Sequence, residues 1–127
     1  MGRLKDVCVD CADPWTLGHW WAEVLGYRVR PHDADDLASL RAQGTTRPED
    51  DPVIAVDPLD GAGPTFFFIR VPEAKTVKNR VHVDVFGDVK ELVRHGATLL
   101  TRREEWTVMA DPEGNEFCVF PEPPPAA

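Results

Sequence analysis

The sequence predicts an α+β fold built from two copies of one βαβββ unit, and three observations support this prediction. Alternating apolar and polar residues at 4–11 and 80–86 predict a strand in each half, and each strand is followed by a capped helical segment. Three more strand segments follow each helix. A glycine-containing turn precedes the last strand of each half, in DGAGPTFFFI and in DPEGNEFCVF. Because neither half can bury a sheet face alone, we expect one curved, cup-shaped mixed sheet with the helices outside.

Composition and charge limit the classes of partner. The chain has 127 residues, 43% of them hydrophobic, which fits one domain with its own core. A formal net charge of −8 without any basic run argues against nucleic acid and anionic membranes as partners. Apolar stretches are far shorter than the ~20 residues of a membrane span, and MGRLKDV lacks the apolar core of a secretory signal. We therefore expect a cytoplasmic protein.

The first strand is predicted over residues 4–11, and it contains two cysteines at C-x-x-C spacing. Residues three apart on a strand point to opposite faces, so the thiols of Cys8 and Cys11 diverge. With Cys118, the chain has an odd number of cysteines, three. These features favour separate thiols over a redox pair or a disulfide framework.

The helix that follows is marked at both ends. Asp13 occupies a typical N-cap position with Pro14 behind it, and Gly26 is placed to end the helix. Apolar residues recur at i, i+3, i+4, i+7 and i+8, which is the pattern of an amphipathic helix. They are Leu17, Trp20, Trp21, Val24 and Leu25. A short strand is predicted over residues 27–30.

Residues 32–51 lack apolar periodicity and are rich in aspartate and glutamate. So long a connection in a small domain is either a lid or a mobile loop, and we favour a mobile acidic loop. Strands resume at residues 53–56 and 65–71. On the second of these, alternation places Phe66 and Phe68 under the helix and directs Phe67 to the cup.

The second half repeats the plan. Residues 80–86 alternate as a strand, Asp88 with Glu91 has the spacing of a capping box, and Gly96 is placed to end the helix. Three strands are then predicted over residues 97–100, 105–109 and 115–120.

The single domain is thus expected to comprise two modules, at about residues 3–72 and 79–121. The proline-rich tail, residues 121–127, is expected to be a loose end. Exposed sheet edges in a protein of this size favour pairing between two copies, so we expect a homodimer.

Four separated segments resemble the vicinal oxygen chelate superfamily, and more narrowly its glyoxalase-like domain proteins. They are DPWTLGHWWAEVLGYRV, KNRVHVDV, HGATLL and WTVMADPEGNEFCVF, which occur in the family's order. The resemblance implies paired βαβββ modules around a cup, in a family that includes glyoxalases, extradiol dioxygenases and metal-free antibiotic-sequestering proteins. In its catalytic members a divalent metal, held by strands one, four, five and eight, acts as a Lewis acid. The fold alone does not choose among these functions.

The resemblance also assigns site positions. It places Asp6 on the first strand and His82 on the fifth at ligand positions. The eighth-strand position is Cys118, with Glu116 one step nearer the edge, and the fourth-strand position is Phe67. Because a phenylalanine cannot ligate a hard ion, the cup is more apolar than in metal enzymes and favours an organic ligand. We expect no tightly bound metal; the alternative is a zinc-type set of Asp6, His82 and either Cys118 or Glu116.

Three residues allow more than one interpretation from the sequence. His82 is suited to a hydrogen bond with Asp84 or Asp6, and with Asp6 it also has the groups of a general acid–base pair. Arg80 shares the strand parity of His82 and suits either a ligand carboxylate or phosphate, or a surface salt bridge. Trp106 suits either stacking on a planar ligand or core packing.

The sequence therefore predicts a glyoxalase-like protein that binds a small organic molecule in a partly aromatic cup. No catalytic residue is assigned, and no phosphate-binding, dinucleotide-binding or serine-nucleophile motif is present. The alternatives are a metal-dependent lyase, isomerase or dioxygenase, and a structural or regulatory module. The residues expected to contact the ligand are Asp6, Phe67, Arg80, His82, Trp106, Glu116 and Cys118.

Overall fold

A computed structural model describes residues 1–123, and these residues form two compact units, Met1–Ala74 and the part that begins at Lys75. The first unit contains β1 (Asp6–Cys11), α1 (Pro14–Leu25), β2 (Tyr27–Val29), α2 (Ala34–Ala42), a 3-10 turn (Pro48–Asp50), β3 (Val53–Pro58) and β4 (Thr65–Arg70). The second contains β5 (Asp84–Phe86), α3 (Val89–Arg94), β6 (Thr98–Arg102), β7 (Thr107–Ala110) and β8 (Glu116–Phe120). Among the described residues, no helix combines the length and apolarity that a membrane crossing requires.

The two units have the same sheet topology. Each holds one four-stranded mixed sheet, ordered β1-β4-β3-β2 in the first unit and β5-β8-β7-β6 in the second. In both sheets the first strand runs parallel to the last, and the other neighbours are antiparallel. The predicted α+β fold with a duplicated βαβββ module is therefore confirmed. The strands form two four-stranded sheets, one in each unit, where the sequence predicts one.

The first core lies between α1 and one face of its sheet. The side chain of Asp13 accepts a hydrogen bond from the Thr16 amide at 3.2 Å, and Gly26 ends the helix at φ 67°. Gly18 brings the helix close to the sheet, since a Cβ there would lie 3.1 Å from Ile54 Cγ2. Phe68 is fully buried under this helix, as predicted. Phe67, the next residue along the strand, therefore points to the opposite face.

The second core repeats this arrangement. Asp88 accepts from the Glu91 amide at 3.1 Å, which forms one half of the predicted capping box. A Cβ at Gly87 would lie 3.5 Å from Leu92 Cδ1 and 3.8 Å from Val119 Cγ1, so α3 covers the Val119 side of the sheet. Phe117 and Met109 complete the core, and Cys118 points to the other face.

Residues 34–42 form helix α2, where the sequence predicts a mobile acidic loop over 32–51. The loop prediction is wrong for these residues. Asp33 accepts from the Asp36 amide at 2.8 Å while the Asp36 carboxylate accepts from the Asp33 amide at 3.0 Å, a complete capping box. The helix buries only Leu40 and so shows no apolar stripe. Its acidic residues stabilise the helix start by capping, a role that composition alone does not show.

Strand bounds also differ from the predictions. The strand predicted over residues 80–86 begins only at Asp84. Within the described part of the chain, residues 80–83 form one backbone hydrogen bond to β8, which the Cys118 amide donates to the Val83 carbonyl at 3.1 Å. β7 begins at Thr107, so Trp106 precedes it. Most of the predicted loose tail, residues 124–127, lies outside the described part of the chain.

The capping box gives a first testable prediction. We expect Asp33→Ala to destabilise α2 by about 1 kcal/mol, because it removes the bond to the Asp36 amide. Native-state hydrogen exchange should show faster exchange of the α2 amides, with little change in the rest of the first unit. Asp35→Ala removes the same charge from the same turn without touching the box. Equal exchange in both variants would contradict the role of the cap.

Candidate functional site

Phe67 lies at the centre of the first sheet, on the side opposite α1, which we call the Phe67 face. Its neighbours in register are two small residues, Cys8 on β1 and Ala55 on β3. Two cations flank the ring: Lys5 Nζ lies 5.9 Å from the ring centroid and Arg30 Cζ lies 5.7 Å from it. Both distances are within the range of cation–π attraction. The ring is half-buried, and the face offers an apolar centre with charged edges.

A bidentate ion pair fixes one of these cations. Arg30 donates from Nε and Nη2 to the two carboxylate oxygens of Asp57, at 2.8 and 2.9 Å, and Thr65 Oγ1 donates to the same carboxylate at 2.7 Å. The hydrogen bond from Arg30 is the main reason that the pKa of Asp57 is lowered to about 2. The fork-shaped contact holds the guanidinium in one orientation beside Phe67.

Asp6 lies on the Phe67 face, as its predicted strand position requires. It is paired in register with Thr65, and its carboxylate forms an ion pair with Lys5. Its side chain is only 18% exposed. Asp6 therefore belongs to the charged edge of the Phe67 face in the first unit, whereas His82 lies in the second unit.

The second sheet brings three metal-ligating side chains together on the face that carries Cys118. Asp84 on β5 is the register partner of Cys118 on β8. His82, two residues before Asp84, places Nδ1 at 3.5 Å from Asp84 Oδ1. One nitrogen, one oxygen and one sulfur of these residues lie within 4.8 Å of one another. Of the two carboxylates that the sequence offered as the partner of His82, the structure places Asp84 beside it.

The environment of Cys118 makes it a poor nucleophile. Burial raises the pKa of its thiol above the ordinary value, and the neighbouring Asp84 carboxylate raises it further. The thiolate is the reactive form, and reactive cysteines have electropositive surroundings. The site thus favours a thiol over a free thiolate at neutral pH.

Glu116 has a different role from the neighbouring Cys118. Lys75 Nζ lies 2.7 Å from Glu116 Oε1, and the Asn79 amide donates to both carboxylate oxygens, at 3.3 and 3.4 Å. The hydrogen bond from Lys75 is the chief cause of the lowered pKa of Glu116. Its side chain is 12% exposed. Glu116 therefore connects residues 75–79 to β8, and both of its carboxylate oxygens accept hydrogen bonds from this segment.

Aromatic side chains line one end of the Cys118 face. The Trp106 and Phe120 rings stack, with centroids 6.0 Å apart and planes inclined by 22°. Phe86 is the register partner of Phe120 and is 62% exposed. Trp106 is 37% exposed, so it is not a core residue. Arg80 lies exposed in the segment before β5, where the parity argument that linked it to His82 does not apply.

The comparisons with known proteins agree with this architecture. The model of the glyoxalase-like domain family matches residues 6–120. The chain belongs to the glyoxalase-like domain family. This confirms the resemblance to the vicinal oxygen chelate superfamily. A comparison with curated proteins gives no match.

Solved structures share this glyoxalase-like fold over nearly the whole chain. A glyoxalase/bleomycin resistance protein/dioxygenase family enzyme from Burkholderia phytofirmans is 17% identical, with a TM-score of 0.61 and coverage of 93% of this chain and 97% of that one. A possible glyoxalase from Bacillus cereus is 12% identical, with a TM-score of 0.62 and coverage of 94% and 99%. The fosfomycin resistance protein FosX from Listeria monocytogenes is 9% identical, with a TM-score of 0.61 and coverage of 98% and 94%. At these identities the likeness shows the fold alone.

The metal that the superfamily resemblance implies can be tested against the residues of this glyoxalase-like chain. Of the four side chains predicted as alternative ligands, Asp6 and Glu116 are engaged in ion pairs with lysines. His82 and Cys118 lie together with Asp84. An imidazole, a carboxylate and a thiolate are a donor set that zinc accepts. The residues therefore fit a zinc-type ion in the second unit.

Several residues of the two candidate faces, one in each unit, are not identified by the sequence reasoning. Asp84 is considered there only as a hydrogen-bond partner of His82 and not as a metal ligand. Phe120 shares the strand parity of Cys118, and that parity is the signal that could have found it. Lys5, Arg30 and Asp57 have no comparable signal. Their placement depends on the pairing of β2 with β3 and on the position of the chain just before β1.

Proposed function

We propose that the protein binds a small organic molecule on the Phe67 face of its first unit. The observation that carries the proposal is the half-buried Phe67 ring between Cys8 and Ala55, with Lys5 and Arg30 beside it. Cys8 is exposed and Ala55 is half-buried, so the ring is flanked by short side chains on both neighbouring strands. Ligand sites combine apolar surfaces with a few well-placed polar groups.

The charged edge of the Phe67 face indicates the ligand class. Arg30 uses two of the five guanidinium donors in its contact with Asp57, and that contact fixes its orientation. The remaining donors and the Lys5 ammonium suit a carboxylate or carbonyl oxygen next to an apolar or aromatic group. We therefore propose an aromatic or otherwise flat molecule that carries such an oxygen.

The second unit supports the same ligand class. Trp106 and Phe120 present stacked aromatic surface on the Cys118 face, and Phe86 adds an exposed ring. Aromatic side chains of this kind contact flat apolar groups well. Trp106 is thus a proposed contact for a flat apolar group on this face of the second unit.

A metal-dependent lyase, isomerase or dioxygenase is the second candidate. The specific observation in its favour is the group formed by His82, Asp84 and Cys118. A divalent metal at this group supplies Lewis-acid chemistry when bound. The protein's own contribution is to hold the three donor atoms within 4.8 Å of one another, with the sulfur half-buried on β8.

Nuclear magnetic resonance tests the proposed ligand site. The isotope-labelled full chain is titrated with a panel of small aromatic carboxylates and with a panel of uncharged aromatic molecules of equal size. Binding should shift the amide resonances of residues 5–8, 30 and 65–67, and more strongly for the carboxylates.

Two alanine variants separate a specific site from general apolar binding. Phe67→Ala should weaken the binding of any member by more than about tenfold, since it removes a large aromatic contact. Leu59→Ala, which removes an exposed apolar side chain elsewhere in the first unit, should leave binding unchanged. Equal affinities of the two variants, or resonance shifts scattered over the whole unit, would contradict the proposed site.

A further inference from the structure

The second unit contains a compact group of three donors, and the inference drawn from it rests on the second candidate function proposed above, not on the organic ligand of the Phe67 face. From their positions we infer that His82, Asp84 and Cys118 hold a zinc-type divalent cation within this unit alone. The residues come from the start of the unit and from its last strand. The site therefore needs no side chain from the first unit, and in particular it does not need Asp6.

The distances suit tetrahedral coordination. Ligand atoms 2.0–2.3 Å from a tetrahedral zinc ion are separated from each other by roughly 3.3–3.8 Å. His82 Nδ1 and Asp84 Oδ1 are already 3.5 Å apart. The sulfur of Cys118 lies within 4.8 Å of a ligand atom of each, a separation that side-chain rotation can shorten. Because Asp84 and Cys118 are register partners on adjacent strands, the sheet itself sets the spacing of two ligands.

The exposure of the three residues suits an ion that enters from solvent. The side chains of His82 and Asp84 are 40% and 56% exposed. Cys118 lies half-buried behind them. Three protein ligands leave a fourth tetrahedral position open, as in zinc sites that accept water or a substrate.

The donor chemistry favours a borderline metal ion. A thiolate with an imidazole suits zinc, cobalt or similar ions, whereas magnesium, calcium and manganese prefer oxygen ligands. Glu116, an oxygen donor on the same strand, is held by Lys75 and the Asn79 amide and does not belong to the group. Asp84 supplies the carboxylate in its place. This set differs from the one that the superfamily resemblance implies, in which Asp6 is a ligand.

Cobalt(II) is the probe, because a cobalt–thiolate bond produces an intense near-ultraviolet charge-transfer band that reports sulfur ligation directly. The reduced full chain is titrated with cobalt and then with zinc. We expect a saturable band at one equivalent that zinc removes, since zinc binds such sites more tightly than cobalt. Cys118→Ser should abolish the band. Asp84→Asn and His82→Ala should weaken cobalt binding by more than about tenfold. Loss of a group that only hydrogen-bonds to a metal ligand already lowers metal affinity by about that factor, and these two residues are proposed as ligands themselves.

Matched variants identify the ligands. Cys8→Ser removes the exposed thiol of the first unit, and Glu116→Gln and Asp6→Asn remove the carboxylates that the resemblance favours. All three should keep the band. Loss of the band in any of these variants, its survival in Cys118→Ser, or its absence from the unmodified chain would overturn the inference. Amide spectra of each variant verify that the fold is intact, and Cys118→Ala provides a second test if the serine variant is unfolded.

Discussion

Phe68→Ala is expected to lower the free energy of unfolding by about 3–5 kcal/mol, the largest effect that we predict for a single substitution. Phe68 is fully buried between α1 and the sheet. Its removal leaves a cavity beneath Gly18, where the helix backbone already lies against Ile54 and Phe68 and has little room to collapse further. The cost therefore combines the lost burial of the ring with the cavity that remains.

The adjacent residue provides the matched control. Phe67→Ala removes the same side chain from the same strand, but from the half-buried opposite face, so we expect a loss of only about 1 kcal/mol. Urea denaturation of both variants, followed by far-ultraviolet circular dichroism, measures the difference. Similar losses in the two variants, or a larger loss for Phe67→Ala, would show that the two faces of β4 are assigned the wrong way round.

The contrast between Phe67 and Phe68 shows what could be predicted from the sequence. Strand alternation assigns the two residues to opposite faces without any knowledge of their contacts. Helices α1 and α3 are similarly predictable because Asp13 and Asp88 mark their starts in the sequence. The repeat of these signals in both halves predicted the duplicated module, and that prediction is confirmed.

Helix α2 was not predicted because it lacks the signal that reveals the other helices. A helix with one buried residue has no apolar periodicity, and an aspartate at the third helical position is a less familiar capping partner than glutamate. The start of β5 was missed for a related reason. Alternation continues through residues 80–83, but hydrogen bonding to β8 reaches only Val83, and the pairing partner is not visible in the sequence.

The candidate sites depend on contacts between residues that are distant in sequence. Arg30 and Asp57 meet because β2 pairs with β3, and the sequence contains no mark of that register. Glu116 has the residue type of a metal ligand, yet Lys75, 41 residues earlier, engages it. The sequence therefore provides a list of candidate residues. It does not show which of them already form ion pairs with other side chains of the protein. Whether the seven predicted residues contact a ligand stays a prediction.

The ion pair between Arg30 and Asp57 gives the second large effect, a dependence of stability on pH. The pKa of Asp57 is about 2 in the folded chain, against an ordinary value of 3.8. A carboxylate whose pKa is lowered by folding stabilises the folded state above its unfolded pKa, and the contribution falls as pH drops toward the folded pKa. The full shift corresponds to roughly 2.4 kcal/mol, and since both side chains retain contact with solvent we expect about 1–2 kcal/mol.

Asp57→Asn tests this directly. At pH 7 the variant should be less stable than the natural chain by about 1–2 kcal/mol, because the bidentate contact with Arg30 loses its charge. Roughly half of that difference should be gone at pH 3, since the natural chain loses the same interaction on protonation. Asp10→Asn, which neutralises an exposed carboxylate on β1, should show no such convergence. Urea denaturation at pH 7, 5, 4 and 3 measures the three proteins side by side. A difference that stays constant over this range would mean that the Asp57 carboxylate is not stabilised by Arg30 in the folded protein, and the fixed orientation of Arg30 beside Phe67 would lose its physical basis.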